Sequence, residues 1–143
     1  MMTHFNAAFA RVTNHPHAGR LLLRLTFGIL MLFHGYAKVT NPHVLQWIVG
    51  LLEAKGVPGV IAYGVYVGEI VAPLLIIVGL FTRPAALIYA FNILVATLLV
   101  GTAKFFTVTN VGAWGLETEA LYFFGGVVIM LLGAGKYAVA KEA

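Results

Sequence analysis

Glu69 is the single charged residue between positions 57 and 81, a stretch that is otherwise apolar apart from small and aromatic residues. A charge at the centre of a bilayer costs roughly 2.5 kcal/mol or more, so such a group persists when it is paired, hydrated or put to use. Pro73 follows four positions later. Its ring nitrogen has no hydrogen to give the Glu69 carbonyl, which predicts a kink at that turn and an acid beside a freed carbonyl. A polar notch of that kind suits a proton, a cation or a hydroxyl-bearing ligand. A carboxyl group that is merely paired or kept protonated for packing produces the same pattern.

Other polar groups fall at comparable depth. Arg24, Gly28, Gly35 and Lys38 occupy about a quarter-turn sector of one helix, a stripe of bases and small residues expected to face inward. His34 lies one turn before Lys38, beside that sector. Arg24 and Lys38 also have stems long enough to snorkel to opposite interfaces, and a lone histidine can simply bond a neighbouring backbone. Asn92 sits near the middle of a third apolar stretch, where an amide bonds another helix or a ligand. Glu117 and Glu119 open a fourth. They are two apart, so only one can look inward; Glu119 shares a stripe with Tyr122, Phe123, Gly126 and Met130 and is expected to pair with Lys38 or His34. Glu117 is expected to meet water, Lys104 or the helix N-terminus, which favours acids. Gly64, Gly68 and Ala72 form a small-residue stripe that admits another helix close to Glu69.

The elements that position these groups follow from composition. The chain is 61% hydrophobic and 10% charged, with a mean hydropathy of +0.94. A soluble domain carries charge on about a quarter of its residues. The predicted fold is an all-α membrane protein, a four-helix bundle with spans at about 21–39, 60–81, 85–103 and 116–132. A short interfacial helix is expected over 43–55, which is too brief to cross about 30 Å of hydrocarbon and carries Gln46 and Trp47. Residues 1–19 read as an arm, amphipathic on the membrane surface, and 138–143 as a tail. No A-x-A-like cleavage site follows the first apolar stretch, which argues against a secretory signal. Gly56-Val57-Pro58-Gly59 makes a turn, Thr82 suits an N-cap and Pro84 a first helical turn. Arg11, Arg20, Arg24, Arg83, Lys136 and Lys141 fall on one side, and Lys38, Lys55 and Lys104 on the other. Both termini are therefore expected in the cytoplasm. The formal charge of +4 is accounted for by this orientation, without nucleic acid as a partner.

The chain has no cysteine, aspartate or serine. Disulfides, thiolate-held iron–sulfur clusters and serine nucleophiles are excluded, and a single His in the spans cannot supply two axial ligands to a haem. No Walker loop, dinucleotide fingerprint or H-E-x-x-H occurs.

In this order the residues resemble the DoxX family of small bacterial membrane proteins, over about residues 20–137. Arg24, Gly28 and Phe33-His34-Gly35 with Lys38 resemble its first helix. Gly56-Val57-Pro58 resembles its turn, Gly68-Glu69 and Gly79-Leu80 with Thr82-Arg83 its second helix and short loop, and Glu119-Ala120-Leu121-Tyr122 the acidic start of its fourth helix. The resemblance implies a multi-pass protein of the bacterial inner membrane. Some family members are subunits of thiosulfate:quinone oxidoreductases, and others are linked to sulfur metabolism or oxidative stress. The implied ligand is a quinone or quinol from the lipid pool. Glu69 would exchange its protons, and His34, Arg24, Lys38, Asn92 and Glu119 would supply catalytic or binding contacts. Electrons would come from a protein partner, a bound cofactor or the substrate. Two other functions are compatible with the same residues: a non-catalytic anchor or assembly subunit, alone or as a homo-oligomer, and a pathway for a small solute or ion. Glu69→Ala is expected to insert normally and to abolish activity, which membrane fractionation and an activity assay on one preparation would check.

Overall fold

The structure, a computed structural model, describes residues 2–140; its regular elements are all helices, joined by turns and by a loop over 105–116 that holds one isolated β-bridge between Val108 and Trp114. Lys141 lies outside the described residues. Six helical elements follow in order: α1 (Met2–Thr13), α2 (Pro16–Thr40), α3 (Pro42–Ala54), α4 (Gly59–Val78), α5 (Thr82–Lys104) and α6 (Glu117–Leu132). Prolines at positions 16 and 42 start α2 and α3 in the first turn, where a missing N–H leaves no bond unmade.

Three helices are long and apolar enough to cross a membrane: α2, α4 and α5. The fourth expected span, α6, has 16 residues, a length of about 24 Å against a hydrocarbon core of about 30 Å. It packs along α5, with Gly126 against Tyr89 and Gly125 against Phe27 of α2. The main core joins Met31 of α2, Ala72 and Ile76 of α4, Ala85, Ala86, Tyr89 and Ile93 of α5, and Ile129 of α6. A second cluster seats Leu45 and Leu52 of α3 on Ala62 of α4, flanked by Leu99 of α5. The short segment after α2 is a helix, and it forms a wall against the start of α4.

The sector of small and basic residues on α2 faces α4. Arg24, Gly28 and Gly35 are buried, and a β-carbon at Gly28 would lie 2.5 Å from Ile77. At Gly35 it would lie 2.6 Å from the Glu69 carbonyl oxygen. The helices can approach this closely only because those side chains are absent.

Arg24 neither snorkels nor reaches the Glu69 region. Its side chain is 1% exposed, and its guanidinium donates to the carbonyls of Ile76 and Ile77 at the end of α4 and of Ala134 and Tyr137 beyond α6, all at 2.7–2.8 Å. Arg83 does the same for α6, donating to Met130 and Leu131. The last carbonyls of a helix have no intrahelical partner and carry its negative dipole end, so a planar cation with several donors is well matched to them. The segment after α6 is consequently no loose tail: Val139 and Ala140 donate to the carbonyls of Val78 and Gly79. The Lys136 N–H donates to His17 Nδ1, which places the start of α2 and the segment after α6 at one end of the bundle.

The α4–α5 connection departs from expectation. Gly79 takes the left-handed conformation that closes α4 (φ +76°), and Phe81, not Thr82, occupies the N-cap position of α5, itself at φ +48°. Thr82 lies buried in the first turn. The chain must reverse within three residues between tightly packed helices, and that constraint outweighs the capping preference of threonine.

Arg24→Met is expected to lower the free energy of unfolding by roughly 3 kcal/mol or more, because several buried carbonyls lose their donor together. Arg24→Lys should recover little, since one ammonium cannot span the same acceptors. Detergent titration in mixed micelles followed by circular dichroism measures both.

Candidate functional site

The turn that carries Glu69 is not regular helix. α4 begins as a 3-10 segment over Gly59–Tyr63, becomes α-helical at Gly64–Tyr66, widens to a π-turn over Val67–Val71 and resumes as α-helix at Ala72–Val78. The Ala72 N–H bonds to the Val67 carbonyl, five residues back. Pro73 explains the widening: it withholds the hydrogen that the Glu69 carbonyl would receive, and a π-turn accommodates the gap without breaking the rod. The predicted irregularity is there, as a widened turn, with the Glu69 carbonyl lying against the bare backbone of Gly35.

The Glu69 side chain is 7% exposed. Lys38 Nζ, from the last turn of α2, donates to Glu69 Oε2 at 2.5 Å. Asn92 Nδ2, from α5, donates a longer bond of 3.5 Å to Oε1. Asn92 fits there because Gly68 has no side chain; a β-carbon at that position would collide with it. The Tyr66 hydroxyl donates to the Lys38 carbonyl at 3.4 Å. Three helices therefore converge on one carboxylate.

A cavity of about 710 Å³ opens on this cluster, bounded by α3, the first half of α4 and the second half of α5. Lys38, Glu69 and Asn92 are the polar side chains in its lining apart from the indole of Trp47; the remaining residues are apolar or glycine. The volume falls within the range of about 300–1,000 Å³ usual for small-molecule sites, and a few convergent polar groups in apolar walls is their usual composition. Chemically, the ammonium and the amide present N–H groups and the carboxylate presents oxygens, so one ligand head group can be offered hydrogens and relieved of one at the same place.

The remaining residues singled out from the sequence lie elsewhere. His34 is exposed and meets Tyr122 of α6 edge-on at 5.5 Å between ring centres; it does not line the cavity. Arg24 is held at the far end of α4. Glu119 does not pair with Lys38 or His34 as expected: it lies 3.6 Å from Lys104 Nζ, near the surface. Lys38 points to α4, so the acid on α6 meets the base at the end of α5. Glu117 is exposed in the first turn of α6. The contribution of α3 is what residue-by-residue inspection passes over. Trp47 and Leu51 line the cavity, and the only sequence trace of that role is an apolar, tryptophan-bearing helix too short to span.

Lys38→Met is expected to destabilise the fold by roughly 3 kcal/mol, because it leaves a buried carboxylate without its counter-charge. Lys38→Met combined with Glu69→Gln should cost less than the two single changes added together, by about 1–3 kcal/mol. The four unfolding free energies, measured in one micelle system, give the coupling directly.

No curated protein and no solved structure matches this chain. A family model, DoxX, matches residues 19–102, which is more than half of the 143 residues. The matched segment holds α2 through most of α5 and every residue lining the cavity, from Lys38 to Val100. It stops before Glu119 and the fourth-helix pattern. With the helices long enough to cross a membrane falling inside or across that segment, the chain belongs to the DoxX family of membrane proteins.

Proposed function

We propose that this protein binds quinone or quinol from the lipid and serves a respiratory-type oxidoreductase of the bacterial inner membrane, as an enzyme or as its quinone-interacting subunit. The observation that carries this is the cavity of about 710 Å³ whose apolar walls enclose a bonded Lys38–Glu69–Asn92 cluster. A quinone has a flat ring with two carbonyl oxygens and an apolar tail. Lys38 and Asn92 would donate to the ring oxygens, and Glu69 would exchange protons with them. Reduction of a quinone to a quinol takes up two electrons and two protons, so a carboxyl group within hydrogen-bond reach of a ring oxygen has a defined task. The electrons would enter from a protein partner or from a substrate, since the chain has no cysteine for a thiolate-held cluster. His34, Arg24 and Glu119 have no part in this cluster.

We further propose that α6 completes a fourth crossing and that both ends face the cytoplasm. The start of α2 and the segment after α6, joined at one side of the bundle, fit an even number of crossings. Arg11, Arg20, Arg24, Arg83 and Lys136 would lie on that side. On this topology α3 rests at the opposite interface and roofs the cavity.

Protein purified from its native membrane in lipid particles should carry quinone in its extracted lipid at a level well above that of the surrounding bilayer. Glu69→Gln should retain that quinone and lower quinol-linked turnover by about 10²–10⁴-fold, the usual contribution of a positioned acid or base. Wild-type protein that enriches no quinone would overturn the proposal.

A further inference from the structure

Gly64 stands out among the glycines of α4. Gly68 is required by Asn92, as Gly28 and Gly35 on α2 are required by α4, because a side chain at any of them would strike a neighbour. A β-carbon at Gly64 would meet nothing within 4 Å. Its backbone is ordinary right-handed helix (φ −59°, ψ −21°), which any residue can adopt. A glycine inside a helix costs about 1 kcal/mol relative to alanine, and neither packing nor backbone conformation calls for one here. The space that its bare α-carbon leaves open belongs to the cavity, which it lines.

The mouth of that cavity is apolar. Trp47, Ile61, Ile88 and Phe91 line it and are 43–63% exposed. No charged or amide side chain in the lining lies outside the Lys38–Glu69–Asn92 cluster. An opening bordered by exposed aromatic and aliphatic side chains is compatible with hydrocarbon and poorly compatible with water. The polar cluster is thus the inner end of a passage whose outer end faces acyl chains.

We infer that Gly64 is a specificity-determining residue that keeps this side passage wide enough for an apolar tail, so that the site takes a long-chain amphiphile arriving sideways from the bilayer while its head group sits at Glu69. The inference rests on the quinone assignment for the identity of the head group. It adds the route, the tail requirement and the residue that sets it. Gly64 would touch the tail and not the reacting ring.

Quenching of Trp47 fluorescence tests it, in a Trp114→Phe background reconstituted into vesicles. The probes are a benzoquinone with a single isoprene unit and the same ring with a full polyprenyl tail. Wild-type protein should bind both, and Gly64→Ala should weaken binding of the long-tailed probe slightly more than that of the short-tailed one. Gly64→Phe should weaken binding of the long-tailed probe by about tenfold or more, the scale of a few lost methylene contacts, while the short-tailed probe changes by much less. Gly64→Leu provides the same comparison should the phenylalanine variant not fold. Equal binding of both probes by wild-type protein and by the bulky variants overturns the role of Gly64 and leaves the quinone assignment standing. Binding of neither probe by wild-type protein overturns both.

Discussion

A carboxylate surrounded by apolar side chains must have its charge answered within a few ångströms, and much of this bundle is arranged around that demand at Glu69. The answering cation, Lys38, comes from the last turn of α2, where a positive group is also favoured by the helix dipole. For the ammonium to reach, α2 and α4 must lie almost in backbone contact, and Gly35 permits this at the level of Glu69 itself. The acid's second oxygen is met by Asn92, and Gly68 makes the room. Remove any one of these small residues and the polar groups no longer converge. The ion pair and the glycines are a single device: the first is affordable only at the separations that the second allows.

At the other end of the bundle the same physics uses different groups. The terminal carbonyls of α4 and α6 lack helical partners, and Arg24 and Arg83 supply donors to them. Arg24 also ties down the segment after α6 through Ala134 and Tyr137. A base that sequence counting assigns to membrane orientation thus has a structural task, as a buried cation among the terminal carbonyls of α4. The two polar centres are separated along α4 by the turns between Glu69 and Ile76. One end is saturated with hydrogen bonds, while the other leaves a cavity beside its ion pair.

Irregular backbone accompanies the cavity on both flanks. α4 carries its π-turn at Val67–Val71, and α5 ends in another over Thr97–Gly101 followed by a 3-10 turn. Wide turns rotate side chains out of the regular helical register, and here Val67, Gly68, Glu69, Leu99 and Val100 of these turns all line the cavity. In α4 the cause is Pro73. α3 then closes the gap with a short apolar face, packing Leu45 and Leu52 on Ala62.

Long charge-free runs, with apolar residues on 61% of positions, were enough to specify a helical membrane protein, because only helices and closed barrels satisfy their backbone in hydrocarbon, and continuous apolar runs of about 20 residues fit a helix and not the short alternating strands of a barrel. The inward sector of α2 and the irregular turn at Pro73 were also legible, since helical periodicity and a missing N–H are local properties. The resemblance carried by these residues agrees with the family match. What sequence could not decide was which base meets which acid. Glu119 was expected to meet Lys38 or His34 and instead meets Lys104, because side-chain pairing depends on the rotation and height of whole helices. Neither was it decided that Arg24 would turn to carbonyls and His34 away from Glu69, or that a helix too short to span would wall a cavity. Those outcomes belong to the tertiary structure, because a charge inside an apolar bundle takes whichever partner packing brings within reach.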